Sequence, residues 1–302
     1  MRKTVKAWIS AARPRTLPLS ISGILTGSAI AVLENAFNWV IFTLAIATTL
    51  SFQILSNFAN DYGDGVKGTD NENRLGPQRA IQSGAITDKS LKKGMIINAL
   101  VSLILSFLLI GFAFNFQELP EILIYFALAI LSIVAAIKYT VGSNAYGYSG
   151  FGDLFVFLFF GWVSVIGVFY LYGRSFDIIH FLPASGIGML SVGVLNLNNM
   201  RDKESDFSSK KMTLALRLGE KKSKIYHISL ILLPLILFIL FFKSFFVQIP
   251  VYASLVVYVL LFIHVVKVAK NNKPKELDPE LKKVALSCFG FSLLFFILSF
   301  WN

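Results

Sequence analysis

The sequence predicts an all-α polytopic membrane protein, with about nine transmembrane helices in one bundle built on a parallel four-helix repeat. Three observations carry that prediction. Apolar residues make up 55% of the 302 and charged residues only 15%, and Phe alone occurs 29 times; soluble domains carry about 25% charged residues. The apolar residues fall in runs of span length, not in the short alternating strands of a membrane barrel. The charge between the runs is strongly biased toward one side.

The first span is expected at 17–33. The stretch leading into it, MRKTVKAWISAARPRTLPLSISG, resembles the basic region of a signal peptide. Two prolines and two arginines interrupt it, however, and the run that follows is long enough to span, so a retained first helix is expected. Further spans are expected at 38–58, 95–115, 120–138, 152–172, 177–197, 225–242, 249–268 and 283–301. Of the 28 Lys and Arg, only Arg174 and Lys243 lie outside the N-terminal stretch, the segments 59–94, 198–224 and 267–283, and Lys138 at the edge of the 139–151 turn. The positive-inside rule therefore puts the N-terminus and these segments at the cytoplasmic face, and an odd number of spans puts the C-terminus outside. The net charge of +11 is topological on this reading, and no basic domain is left to bind nucleic acid. The single cysteine, Cys288, sits in an apolar run, where it serves packing; one thiol excludes an intrachain disulfide or a multi-thiolate metal site.

Two polar clusters interrupt this pattern. NFANDYGD closes the second span and NNMRDKESD follows the sixth, so four spans separate them and both emerge at the same face. Asn57, Asp61 and Asp64 are spaced i, i+4, i+7; Asn198, Asp202 and Asp206 are spaced i, i+4, i+8. Each set is expected to share one helical face.

A carboxylate at the membrane boundary is costly without a partner, and two acidic clusters at one face repel unless a cation lies between them. Mg²⁺ prefers oxygen and is usually held by one or two carboxylates plus phosphate oxygens. The expected third party is a diphosphate. Lys67, Arg74, Arg79, Arg201, Lys210 and Lys211 are positioned to neutralise it, and Asn57, Asn60 and Asn198 are further diphosphate contacts. Solvated loop charge would explain a lone Asp; it does not explain two matched clusters. Because the surroundings are membrane, the diphosphate should carry a long apolar tail. Breaking an allylic C–O bond then gives a delocalised cation, which aromatic faces stabilise in a dry cavity. Tyr139, with Tyr146, Tyr148 and Phe151, lies in the 139–151 turn at that face; an interfacial aromatic belt is the competing explanation.

Four segments together resemble the UbiA superfamily of intramembrane aromatic prenyltransferases: ARPRTLPLSISG, QILSNFANDYGDGVKGTDNENRLGPQRAIQSGAI, YTVGSNAYGYSGFGDLFVFLFFGW and VLNLNNMRDKESDFSSKKMTLALRLG. The resemblance runs along nearly the whole chain, as one domain over 1–302, and the GPQRAIQSG and YGYSGFGDLFVFLFFGW stretches resemble the branch acting on 1,4-dihydroxy-2-naphthoate. It implies Mg²⁺-dependent transfer of a polyprenyl group from its diphosphate to the ring, with loss of CO₂ and diphosphate, giving demethylmenaquinone in menaquinone biosynthesis. It also implies a multi-pass protein of the bacterial cytoplasmic (inner) membrane, whose partners are the bilayer and the two substrates.

By the match to the family's motifs, Asn57, Asp61 and Asp64 form the first metal–diphosphate site and Asp202 and Asp206 the second, with Asn198 beside them and Asp70 as a further candidate ligand. Asp61 and Asp202 are the central catalytic carboxylates. Basic Arg201 and Lys203 and the acidic Glu204 around Asp202 depart from the pattern. For the acceptor carboxylate, Arg13, Arg15, Arg79 and Lys138 qualify by face and charge, although each also fits a topological role. Asp153 would orient the acceptor hydroxyl or take its proton, or else cap the N-terminus of the fifth span. His180, His227 and His264 are not at ligand spacing and are read as packing or interfacial residues. Gly142, Gly147, Gly150 and Gly152 suit a tight loop and do not form a dinucleotide fingerprint. Two alternatives stay open: a sibling enzyme using 4-hydroxybenzoate or homogentisate, and a transporter. The acids lie at span ends and not in mid-membrane, which argues against the transporter.

Overall fold

An apolar run in lipid has no water to satisfy its peptide groups, so it must pair them within itself. The computed structural model, which describes residues 2–68, 79–143, 145–173 and 175–302, is accordingly helical, with no strand among those residues. The helices are α1 Arg2–Ala12, α2 Leu17–Leu33, α3 Trp39–Lys67, α4 Asp88–Ala113 and α5 Leu119–Lys138. They continue with α6 Gly152–Gly173, α7 Phe181–Arg201, α8 Lys203–Ser208, α9 Leu214–Ser244, α10 Ile249–Lys270 and α11 Asp278–Leu298. Among the described residues nine segments are long and apolar enough to cross a membrane, with α1 and α2 counted as one run from Thr4 to Leu33.

Several helices outrun the expected spans. α3 continues past 58 to Lys67, and α9 begins at Leu214 and crosses a non-helical Gly219 (φ 74°) before its apolar run. α4 begins at Asp88, where Thr87 Oγ1 accepts the Ser90 N–H as an N-cap. Hydropathy marks the hydrocarbon layer, whereas the backbone ladder continues into polar sequence at either end. A further departure is a π-helical stretch, Phe157–Gly167, inside α6. Gly161 approaches α7 so closely there that a Cβ would lie 2.7 Å from Ala184 O and 2.9 Å from Gly188 Cα. Ser164 Oγ also bonds back to Phe160 O, in competition with the regular ladder.

The chain divides into two compact units. One comprises Met1–Leu17, Leu44–Gly152 and Asp202–Thr213. Its core joins Leu55 and Phe58 of α3, Leu91 and Met95 of α4 and Ile133 of α5, and Trp8 of α1 packs edge-on against Phe58 at 5.4 Å. The other comprises Pro18–Thr43, Asp153–Arg201 and Leu214–Asn302. Its larger core joins Ile30 of α2, Val165 and Phe169 of α6, Ile187 and Leu190 of α7, Phe238 of α9 and Phe291 of α11, the last two rings stacked at 4.0 Å.

Candidate active site

The first polar cluster rides on the last turns of α3, within the first unit. Asp61 is almost fully buried, and the Arg13 guanidinium donates to its Oδ1, with Arg79 Nε 3.6 Å from the same oxygen. Arg13 adopts a left-handed backbone (φ 51°) at the end of α1. Asn57 uses its amide locally: Nδ2 donates to Ala12 O (2.8 Å) and Thr16 Oγ1 (3.3 Å), and Oδ1 accepts from Gln53 Nε2 (3.2 Å). Ala12 O is one of the carbonyls that the end of α1 leaves without a helical partner, so Asn57 caps that helix from α3.

One turn further on, Thr140 Oγ1 reaches Ala59 O (2.9 Å) and Asn60 Oδ1 (3.2 Å), clipping the 139–151 turn to α3. Gly63 makes this approach possible, because a Cβ there would lie 2.7 Å from the Thr140 carbonyl carbon and oxygen. The turn then aims its tyrosines. Tyr139 and Tyr146 pack edge to face at 5.3 Å, and Gly147 N–H donates to Tyr139 O. Tyr148 donates its hydroxyl to Asp64 Oδ1 at 2.7 Å, and Lys67 Nζ lies 4.0 Å from its ring centroid.

The second cluster reaches the same unit by a route that differs from the sequence reading. Asn198, Asp202 and Asp206 do not share one helix. α7 ends at Arg201, Asp202 leaves helical geometry (φ −93°, ψ 13°), and Asp206 sits on the short α8. Asp202 O still accepts Asp206 N–H (2.8 Å), so the two carboxylates stay one turn apart. Lys211 Nζ lies 3.3 Å from Asp206 Oδ1 and 5.9 Å from the Tyr148 ring, and Met212 N–H donates to Tyr148 O (3.0 Å).

Electrostatics tie the two segments together. Burial pushes the Asp206 carboxyl up to about 6, Asp202 and Asp64 push in the same direction, and Lys211 partly offsets them. Burial works against the charge on Lys211, but Asp206, Asp64 and Tyr139 outweigh it and raise its pKa. Asp64 of the first segment and Asp206 of the second therefore act on each other and on a shared lysine.

Lys67, beside Tyr148, is exposed. Of the remaining candidates, Arg15, Lys138 and Lys210 are exposed, and Lys210 has a left-handed backbone (φ 56°). Asp70 and Arg74 lie outside the described residues. In the second unit, Arg201 pairs with Asp278 and donates to Asn198 Oδ1 (2.9 Å). Asp153 Oδ1 accepts from the Tyr226 hydroxyl (3.3 Å). Sequence reasoning missed Tyr226 and Thr140. Nothing local marks Tyr226; for Thr140 the only hint was the glycine at 63 opposite it.

Among the described residues, no group of three or more His, Cys, Asp or Glu is gathered that could hold a metal ion. A cation bound here would take part of its shell from a ligand, as Mg²⁺ does beside phosphates. The donors fit that role: Asp206 is 3% exposed and its Oδ2 has no hydrogen-bond partner among the described residues, an oxygen available to a cation. Asp61, Asp64 and Asp202 would offer further hard oxygens.

Fold and site together define a polytopic helical membrane protein whose acidic site suits a divalent cation with a phosphorylated ligand. The chain belongs to the UbiA prenyltransferase family, whose model matches residues 20–300. It is 41% identical to a 1,4-dihydroxy-2-naphthoate octaprenyltransferase of Haemophilus influenzae over 98% of this chain and 96% of that protein. It is 42% identical to the protein of the same name from Escherichia coli K12, over 78% of this chain and 76% of that one. Its fold matches a UbiA homologue from Archaeoglobus fulgidus solved with DMAPP and Mg²⁺, with a TM-score of 0.71 at 14% identity over 97% of this chain and 98% of that one.

Proposed function

We propose that the protein transfers a polyprenyl group from polyprenyl diphosphate to 1,4-dihydroxy-2-naphthoate, releasing diphosphate and CO₂ and forming demethylmenaquinol, the hydroquinone form of demethylmenaquinone. The single observation that best supports this reading is that Asp61, Asp64, Asp202 and Asp206 fall in one compact unit, with Arg13 and Arg79 against Asp61 and Lys211 against Asp206. The naphthoate acceptor rests on the names of the relatives that align along most of the chain. The protein works in the bacterial inner membrane, with its N-terminus and lysine-rich segments on the cytoplasmic side.

Asp61, Asp64, Asp202 and Asp206 would hold Mg²⁺, which when bound would supply Lewis-acid stabilisation of the departing diphosphate. Arg13, Arg79, Lys67 and Lys211, with the exposed Lys210, neutralise the diphosphate. Tyr148 orients Asp64, and the Tyr139, Tyr146 and Tyr148 rings face the allylic cation as the C–O bond breaks. The electron pair of that bond leaves with the diphosphate. The ring carbon bearing the carboxylate attacks the allylic carbon, and the carboxylate then departs as CO₂, returning its bonding pair to the ring. Arg15 and Lys138 attract the acceptor carboxylate.

Turnover by the purified protein with 1,4-dihydroxy-2-naphthoate, a polyprenyl diphosphate and Mg²⁺ tests this reading. Equal yields of CO₂ and prenylated product are expected. Product from 4-hydroxybenzoate but none from naphthoate would move the acceptor assignment to a sibling branch.

A further inference from the structure

The lysine-rich end of α10, in the second unit, borders a groove of about 510 Å³ lined by Ile263, Val266, Lys267, Lys270, Asn271 and Glu276. That volume lies within the range of roughly 300–1,000 Å³ typical of small-molecule sites. Four of these residues fall at i, i+3, i+4 and i+7 and share one helical face. Val259, one turn before Ile263, extends the same face toward the apolar part of the helix. Val259, Ile263 and Val266 are exposed by 60%, 57% and 53%. From Val259 to Lys270 the helix rises about 16 Å, close to the roughly 15 Å of hydrocarbon in one leaflet. The face is thus an apolar track of leaflet depth that ends in two ammonium groups.

The two lysines differ. Lys267 is fixed: its Nζ donates to Glu280 Oε1 at 2.8 Å. Glu280 is 1% exposed and also bonds Lys283 (3.0 Å) and His264 Nδ1 (2.6 Å). An ammonium has three N–H donors, so Lys267 keeps donors available beyond the one Glu280 takes. Lys270 is exposed and has no ion-pair partner among the described residues. The one carboxylate in the lining, Glu276, is engaged by Lys273 Nζ (3.4 Å) and Asn271 Nδ2 (3.4 Å). The charge left unmatched in the groove is therefore positive. Helix-end lysines also suit the helix dipole, but the dipole accounts neither for a concave groove nor for a neighbouring lysine held in place by a buried carboxylate.

We propose that this groove binds one anionic phospholipid, with an acyl chain along Val259, Ile263 and Val266 and its phosphate on Lys267 and Lys270. Basic pockets at the ends of membrane helices hold lipid headgroups by this chemistry. The occupant is a lipid and not a free anion, because the apolar track leads directly into the cationic end.

Native mass spectrometry of the full chain in detergent, with equal amounts of phosphatidylglycerol and phosphatidylcholine, tests the proposal. The wild type should retain phosphatidylglycerol preferentially. Lys270→Gln should cut that preference roughly fivefold, the effect of one lysine near a lipid surface. Val266→Glu, which charges the track and leaves both lysines, should lose the adduct, whereas Lys243→Gln, at the far end of α9, should change nothing. Equal retention of both lipids by the wild type, an unchanged preference in Lys270→Gln, or an equal loss in Lys243→Gln would overturn the proposal. Displacement of the adduct by inorganic phosphate would also overturn it, by showing an ion site and no lipid seat.

Discussion

Tyr148 donates its hydroxyl to Asp64 at 2.7 Å while its backbone carbonyl accepts the N–H of Met212, so one residue of the 139–151 turn joins the first acidic segment to the second. The ring between those two bonds faces Lys67 and Lys211.

Tyr148→Phe keeps the ring and the backbone bond but removes the hydroxyl. A hydrogen bond to a charged group contributes about 1.5–3 kcal/mol, so kcat/KM for the diphosphate substrate is expected to fall roughly 10- to 100-fold. Tyr148→Leu, which also removes the ring beside both lysines, should fall further. Steady-state kinetics on the two variants checks this, and equal kinetics in both and the wild type would remove Tyr148 from the site.

Gly63→Ala places a methyl against the Thr140 carbonyl, where a main chain cannot give way as a flexible side chain can. The expected cost is about 1–3 kcal/mol, seen as a lower thermal midpoint in detergent. Activity should fall with it, because the clash lies between Asp61 and Asp64.

His264→Leu removes the donor to Glu280 and the partner of His227, whose Nε2 lies 2.7 Å from His264 Nε2 in a fully buried pair. Unsatisfied buried polar groups cost about 1–3 kcal/mol each. A clear drop in thermal midpoint with little change in the KM for either substrate is expected. A large KM change at unaltered stability would instead assign this network to the substrate site.

How much of this was legible in the sequence depends on the range of the interaction concerned. The nine spans could be read because each is a local apolar run, and the acid clusters because charge in such a chain is conspicuous. The pairing of Arg13 with Asp61, 48 residues apart, is a long-range contact with no local signature; face and charge alone made Arg13 a candidate for the acceptor. Asn57 fits the metal–diphosphate motif by spacing, yet its amide bonds are committed to the end of α1. The break at Asp202 escaped because spacing of i, i+4, i+8 looks helical whether or not the helix continues. The π-helical stretch of α6 depends on close approach to α7, which composition does not express.

The joint action of the two acidic segments on one diphosphate is tested most directly at Asp206, whose buried Oδ2 has no hydrogen-bond partner among the described residues. The measurement is the affinity of the purified protein for a non-hydrolysable polyprenyl diphosphate analogue, with Mg²⁺ and with EDTA, for the wild type and for Asp206→Asn, a variant of nearly the same shape. The wild type should bind in a strictly Mg²⁺-dependent way, and Asp206→Asn should lose most of that dependence while remaining folded. Equal, Mg²⁺-dependent affinity in both would contradict a shared clamp and leave the diphosphate to the α3 segment alone.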